Sequence, residues 1–96
     1  MIYLLHEVPD GVRHRIAAEC ARVLRPGGRL VVVDSLQYGD MAGFDGLLDN
    51  FPAAFHEPFY ASYAAADLNR VFAAAGLHPR GSRRAFLSKV FVYDRE

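Results

Sequence analysis

The chain has 96 residues, which is enough for one small domain and too few for two. Its apolar fraction of 52% and charged fraction of 23% are those of an ordinary globular protein and argue against disorder. Eleven basic and eleven acidic residues give no net charge, so we expect neither nucleic acid nor a membrane among its partners.

Three further absences bear on where the protein works. No apolar run approaches the roughly 18 residues that a membrane span requires, and no basic leader precedes the apolar segment Ile2–Leu5. Cys20 is the only cysteine, which excludes a disulfide framework and a cysteine-based zinc site. We therefore expect a soluble, cytoplasmic protein.

The first half of the chain has the pattern of a helix followed by a buried strand. Asp10 is the predicted N-cap, and residues 26–28 (Pro-Gly-Gly) end the helix. Its apolar stripe consists of Val12, Ile16, Cys20, Val23 and Leu24. The unbroken apolar run Leu30–Val33 is typical of a strand covered on both faces, as in a parallel sheet. Asp34 and Ser35 follow at its carboxyl end, where open α/β sheets bind their ligands.

The second half is predicted to hold two further helices and a pair of strands. A short amphipathic helix is expected over residues 44–51, and a longer one begins near Ala64, with Gly76 just past its end. The predicted buried residues of the longer helix are Leu68, Val71, Phe72 and Ala75. Residues 87–93 have the pattern of a strand, and residues 77–84 are a possible antiparallel partner. We expect residues 1–96 to form one domain.

Several segments resemble, in chain order, parts of class I S-adenosylmethionine-dependent methyltransferases. Glu19–Leu30 (E-C-A-R-V-L-R-P-G-G-R-L) resembles the helix end and turn that lead into the fifth strand of that family. Leu5–Asp10 (L-H-E-V-P-D) resembles the segment after the fourth strand, and Asp67–Leu77 the helix before the last two strands. Leu87–Tyr93 would then be the final, antiparallel strand.

The resemblance implies the C-terminal portion of a Rossmann-like α/β methyltransferase sheet. That portion would contain one buried parallel strand, a C-terminal antiparallel strand pair and two to three flanking helices. The family binds its cofactor mainly through a glycine-rich loop after the first strand and an acidic residue ending the second. Neither can be placed here, since Gly39, Gly43 and Gly46 follow the wrong strand at the wrong spacing.

This incompleteness sets the expectations for cofactor and partners. We expect weak or no binding of S-adenosylmethionine by this chain alone, and catalysis only within a larger or assembled domain. An apolar strand at Leu30–Val33 without its neighbour presents an open edge. We therefore expect a homodimer, or a partner chain that supplies the missing strands.

The first group of candidate site residues lies near the amino terminus. His6 and Glu7 would stand at the end of the fourth strand, where a polar pair could orient substrate or transfer a proton as the catalytic groups. Helix capping and a surface hydrogen bond are the alternative. Tyr3, Leu4 and His6 are candidates for contact with the cofactor, although core packing explains Tyr3 and Leu4 equally well.

The second group is a possible acceptor pocket. Asp34 and Ser35 are candidates for substrate binding by their position, although either could cap a turn. His56 and Glu57 form a second possible catalytic acid–base pair. The aromatic residues around it are Phe55, Phe59, Tyr60 and Tyr63. Such walls suit a small apolar or aromatic substrate, and an aromatic mini-core under a loop is the alternative.

Two functions from different classes stay open. One is methyl transfer from S-adenosylmethionine to a small-molecule acceptor, and the other is a non-catalytic remnant or interaction module that docks on a partner. A metal site is not expected, because neither His6 nor His56 begins an H-E-x-x-H motif.

Overall fold

The computed structural model describes residues 1–41, 43, 45, 59–85 and 87–96. In chain order the elements are a 3₁₀ turn at Leu5–Glu7, helix α1 at Asp10–Val23, strand β1 at Arg29–Ser35, helix α2 at Tyr60–Ala65, helix α3 at Leu68–Ala74, strand β2 at Leu77–Ala85 and strand β3 at Ser88–Arg95. The helix predicted over residues 44–51 falls, except for Asp45, outside the described residues. So do the candidates Phe55, His56 and Glu57.

The three strands form an antiparallel sheet in the order β1–β3–β2. The predicted antiparallel pairing of the last two strands is confirmed, because β2 pairs with β3 from Leu77 opposite Arg95 to Ala85 opposite Ser88. β1 pairs with the other side of β3, with Val32 opposite Phe91. The described part of the chain is therefore a small mixed α/β unit.

The parallel, doubly covered strand expected at Leu30–Val33 is not what the described sheet contains. The ladder of β1 is antiparallel, and its parallel contact within the described residues is one bridge, between Val33 and Ile2. Val32 is fully buried, whereas its neighbour Val31 is 44% exposed. The reason is that successive side chains of a strand point to opposite faces, and the described helices pack on the face of Val32.

The core lies between that face of the sheet and the helices. Its fully or nearly buried members are Leu5, Ala17, Val32, Tyr63, Leu68, Val71, Phe72, Leu77, Phe91 and Tyr93. The Phe72 ring of α3 stacks on the Tyr93 ring of β3 with centroids 4.5 Å apart. Burial of one such aromatic side chain is worth about 2 kcal/mol or more, so this pair anchors α3 to the sheet.

Of the predicted apolar stripe of helix α1, Ile16, Cys20 and Leu24 are partly buried against the core. Arg13 and Ala17 are fully buried, whereas Val23 is 67% exposed. A shallow, open depression of about 510 Å³ is lined by Val12, Arg15, Ile16, Glu19, Cys20 and Val23. Pro9 occupies the N-cap position, so the predicted cap Asp10 is instead the first helical residue.

The single helix predicted from near Ala64 is two short helices. Ala66 has ψ 140° and ends α2, and the Asp67 carboxylate then caps α3 by accepting from the Arg70 N–H at 3.1 Å. Gly76 follows α3 with φ 88°, the left-handed conformation predicted for it. Among the described residues, no helix has both the length and the apolar character to cross a bilayer.

The edge of β1 that faces away from β3 carries the first residues of the chain. The Val33 N–H donates to the Met1 carbonyl at 2.9 Å, and the Tyr3 N–H donates to the Val33 carbonyl at 2.7 Å. The Met1 ammonium donates to the Val31 carbonyl at 3.0 Å. The edge expected to be open is thus partly satisfied from within the chain. Association through it stays a prediction.

Candidate functional site

His6 and Asp34, which lie 28 residues apart in the sequence, form a hydrogen-bonded pair. Nδ1 of His6 is 2.7 Å from Oδ1 of Asp34. The Asp34 side chain is fully buried and that of His6 is 12% exposed. A carboxylate accepts hydrogen bonds, so the ring proton of neutral His6 is assigned to Nδ1, and Nε2 is left as the acceptor. This is the arrangement of an imidazole held ready to receive a proton.

The buried carboxylate of Asp34 is fixed by main-chain donors as well. The Leu5 N–H donates to Oδ2 at 2.8 Å, and the Ser35 N–H donates to Oδ1 at 2.8 Å. A buried carboxylate without such partners would be strongly destabilising. Together with His6, these donors hold the carboxylate at the end of β1 in one orientation. The strand end singled out by the sequence is therefore next to the turn that carries His6.

Three tyrosine rings pack against the His6 imidazole in T-shaped, edge-to-face contacts. The centroid distances from His6 are 6.3 Å to Tyr3, 5.6 Å to Tyr60 and 6.1 Å to Tyr63. Tyr60 and Tyr63 lie on α2 and are buried. Packing of this kind orients a ring and lowers its contact with water.

Tyr63 also makes a polar contact at the site. Its hydroxyl donates to the main-chain carbonyl of Ser35. Burial is the main cause that raises the pKa of the Tyr63 phenol above its ordinary value, and the nearby Asp34 adds to the effect. Tyr63 therefore stays neutral and serves as a donor, so we assign it no proton-transfer role.

Tyr3 and Leu4 are exposed beside the His6 turn. Tyr3 is 43% and Leu4 39% exposed, so neither is a core residue. Tyr3 has φ 52°, which is uncommon for a residue other than glycine, and its hydroxyl bonds with the Ser88 hydroxyl. The two side chains offer an apolar surface next to the imidazole.

Glu7 stands at the second nitrogen of His6. Its Oε1 is 3.8 Å from Nε2, and its side chain is 57% exposed. The structure thus brings together seven of the predicted site residues, which are Tyr3, His6, Glu7, Asp34, Ser35, Tyr60 and Tyr63. Leu4 adjoins them, whereas Phe55, His56 and Glu57 lie outside the described residues.

The sequence analysis missed Arg13, whose fully buried side chain lies behind the site. Its Nε donates to the Leu5 carbonyl at 2.8 Å, and its Nη2 donates to the Phe59 carbonyl at 2.9 Å and the Ser62 hydroxyl at 3.0 Å. Nη1 has no hydrogen-bond acceptor among the described residues, and Asp10 Oδ1 is 3.9 Å from it. The guanidinium centre lies 5.8 Å from the Tyr63 ring centroid.

Burial lowers the pKa of the Arg13 guanidinium from its usual value, and Asp10, Tyr63 and Asp34 partly oppose this. One sequence signal could have pointed to Arg13. It lies one helical turn before the small residue Ala17, on the side of α1 that packs against its neighbours. No group of three or more His, Cys, Asp or Glu residues in the described part of the chain could hold a metal ion.

The fold of the chain is similar to parts of larger solved structures, one of which is an O-methyltransferase family protein. An O-methyltransferase family protein from Burkholderia thailandensis is similar with a TM-score of 0.71 at 17% sequence identity. The pyocyanin biosynthetic protein PhzM is similar with a TM-score of 0.71 at 12% identity, and TnmH with 0.71 at 19%. Each comparison covers 100% of this chain and 29% of the other one.

These similarities show a shared fold, which in each solved structure is only a part of a longer chain. The chain spans about 29% of the length of the solved structures that it resembles. No protein-family model and no curated protein matches its sequence. The chain therefore has the fold of a portion of a methyltransferase, in agreement with the sequence resemblance at that level.

Proposed function

We propose that the chain is the proton-accepting part of an S-adenosylmethionine-dependent methyltransferase that acts on a hydroxyl of a small molecule. The observation that carries the proposal is the His6–Asp34 pair, in which a nearly buried imidazole donates from Nδ1 and keeps Nε2 for a substrate. A hydroxyl is favoured as the acceptor because it loses a proton when it is methylated, and the pair offers a base for that proton. One solved structure of similar fold is described as an O-methyltransferase family protein.

In this proposal His6 is the general base. Its Nε2 would take the proton of the acceptor hydroxyl as the oxygen bonds to the methyl carbon, and the electron pair of the broken carbon–sulfur bond would remain on the sulfur. Asp34 stabilises the imidazolium that results, because its carboxylate already accepts from Nδ1 at 2.7 Å. A well-placed base of this kind contributes about 10²- to 10⁴-fold to a rate. Glu7, 3.8 Å from Nε2, is placed to bind the acceptor or the departing proton.

The described residues fit one wall of a cofactor site. Tyr3 and Leu4 are exposed hydrophobic side chains beside the base, suited to contact with the apolar parts of S-adenosylmethionine. When bound, S-adenosylmethionine supplies an electrophilic methyl group. We propose that the rest of its site belongs to a larger or assembled domain, so that this chain alone binds it weakly or not at all.

A docking module is the second candidate function, and one observation favours it. The sheet face opposite the helices carries β-branched side chains that are half-buried or exposed, namely Ile2, Val31, Val33, Val90 and Val92. An uncovered apolar face of this kind is typical of a surface that another element covers. The module would use this face to bind a partner and would need no base.

The deciding experiment is a calorimetric titration of S-adenosylhomocysteine into two forms of the protein, with the oligomeric state recorded. One form is this chain, and the other includes any coding sequence that continues in frame upstream of it. We expect binding near micromolar strength in the longer or assembled form, together with methyl transfer to a hydroxyl acceptor. Absence of binding in both forms at millimolar ligand would refute methyl transfer and leave the docking module.

The role of His6 is tested in the form that binds. We expect His6→Ala to lower methyl transfer by about 10²-fold or more while affinity for S-adenosylhomocysteine is retained. His78→Ala is the matched control, since His78 lies on the edge strand β2 with its side chain 53% exposed. Equal rates for the two variants would remove His6 as the base.

A further inference from the structure

Arg13 joins the two segments that carry the candidate site. Its Nε donates to Leu5 in the 3₁₀ turn that bears His6, and its Nη2 donates to Phe59 and Ser62 at the start of the helix α2 that bears Tyr60 and Tyr63. These contacts span up to 49 residues of sequence. A planar guanidinium has its donors in a fixed fork, so the direction of one bond fixes the others.

The peptide groups around Leu5 connect Arg13 to the His6–Asp34 pair. The Leu5 N–H donates to Asp34 Oδ2 at 2.8 Å, and the Leu5 carbonyl, which belongs to the peptide bond with His6, accepts from Arg13 Nε at 2.8 Å. The main chain before His6 is therefore held on one side by the carboxylate and on the other by the guanidinium. The remaining freedom of the imidazole is the rotation of its own side chain, which the rings of α2 restrict.

We propose that Arg13 is a positioning residue that sets the Nδ1–H tautomer of His6 by aligning the turn of His6 with Asp34 and with helix α2. The catalytic importance of this role rests on the proposed function, whereas the alignment of the His6 turn by Arg13 can be tested in this chain without it. Full burial of the arginine, with bonds to both segments, favours this role over a solvated surface arginine.

The test measures the tautomer directly in this chain. Imidazole nitrogen chemical shifts distinguish neutral His6 with its proton on Nδ1 from the form with its proton on Nε2. We expect the Nδ1–H form to predominate in the wild-type chain. In Arg13→Lys, which has a single point-like donor group, we expect the ratio of Nδ1–H to Nε2–H to fall about tenfold. Arg22→Lys is the control, because Arg22 lies on the same helix, 68% exposed and bonded to Glu19.

A second variant covers the case in which Arg13→Lys does not fold. Ser62→Ala removes one acceptor of Arg13 at an exposed position, and we expect it to lower the tautomer ratio about twofold in a chain with native circular dichroism. An unchanged ratio in Arg13→Lys that is folded, or in Ser62→Ala where Arg13→Lys is not, would overturn the inference.

The same measurements separate this inference from the proposed function. If His6→Ala leaves methyl transfer unchanged, the proposed base is wrong, yet the dependence of the His6 tautomer on Arg13 can still be observed. If His6 is the base but its tautomer ignores Arg13, the positioning role is wrong and the methyltransferase proposal stands.

Discussion

The Tyr63 hydroxyl donates a hydrogen bond to the main-chain carbonyl of Ser35, the residue that follows the buried Asp34. The Ser35 N–H in turn donates to the Asp34 carboxylate at 2.8 Å. Helix α2 is thereby tied to the carboxyl end of β1 beside the carboxylate. The hydrogen bond holds the Tyr63 ring against His6. Its contribution to stability can be tested directly.

Tyr63→Phe removes that hydrogen bond without removing the ring. We expect the free energy of unfolding to fall by about 1 to 2 kcal/mol, because the Ser35 carbonyl loses its donor in a partly buried place. Urea unfolding followed by circular dichroism measures this change. Tyr3→Phe is the control, since its hydroxyl bonds at an exposed position, and a loss as large there would contradict the argument.

Two buried tyrosines should make the protein sensitive to alkali. Burial is the main cause that raises the pKa of Tyr63 and of Tyr93 above the ordinary value of 10.0, with Asp34 and Asp67 respectively adding to it. Above pH 10 the unfolded chain has lost phenol protons that the folded chain keeps, so stability is present below that pH and falls as pH rises through it.

The expected decline is about 1 to 3 kcal/mol per pH unit from these two groups, to be measured by urea unfolding at a series of pH values. The tyrosinate absorbance that belongs to Tyr63 and Tyr93 should then appear together with unfolding. The double variant with phenylalanine at Tyr63 and Tyr93 should show a shallower decline. If its dependence on pH equals that of the wild type, the two phenols are not the cause.

Asp34→Asn tests the buried carboxylate. Leu5 donates to Oδ2 of Asp34, whereas Ser35 and His6 donate to Oδ1, so the single amide oxygen of asparagine cannot accept from all three. With that oxygen toward Leu5, the NH₂ group faces Nδ1 of His6. We expect a loss of about 3 kcal/mol in stability and a shift of the His6 proton from Nδ1 to Nε2. In the form that transfers methyl groups, the rate should fall about 10²-fold or more.

Nitrogen chemical shifts of His6 and denaturant unfolding are the measurements for this variant. Asp94→Asn is its control, because Asp94 is partly exposed and pairs with Arg29 at 2.7 Å on the sheet surface. An Asp34→Asn chain with wild-type stability and the Nδ1–H tautomer would contradict the assignment of Asp34 as the partner that orients His6.

Association of the chain is expected from its uncovered apolar surface. Size-exclusion chromatography with light scattering should show a dimer or larger species, or loss of soluble protein on concentration. Val31→Lys places a charge on the sheet face, where Val31 is 44% exposed, and should raise the monomer fraction. Val23→Lys places the same charge on α1 at 67% exposure and serves as control. A stable wild-type monomer would contradict the prediction.

Local sequence patterns predicted most of the helices and strands. The features that they did not predict depend on contacts between residues far apart in the sequence. Gly76 and the strand pair at the end of the chain were predictable, because a helix stop and alternating residues are local signals. The burial of Arg13 was not, since the acceptors that make it tolerable come from Leu5, Phe59 and Ser62. Without such acceptors, the charged side chain of a helical residue is expected to be exposed to solvent.

The candidate site was predictable in part for the same reason. His6 and Asp34 were each singled out by position at a strand end, but their pairing depends on how the 3₁₀ turn lies against β1. The insertion of β3 beside β1 had no local signal either, because the order of strands in a sheet is set by packing. That insertion is what makes the ladder of β1 antiparallel.

The strand order β1–β3–β2 also bears on synthesis. Every strand pairing in the described sheet includes β3, so a nascent chain that has emerged only as far as Ala85 has two strands with no ladder between them. The valines of β1 therefore stay unpaired on that side until their partners in β3, about 60 positions later in the chain, have been made, as the pairs Val33–Val90 and Val31–Val92 illustrate. Until β3 emerges, that edge of β1 is free to pair with a strand of another chain.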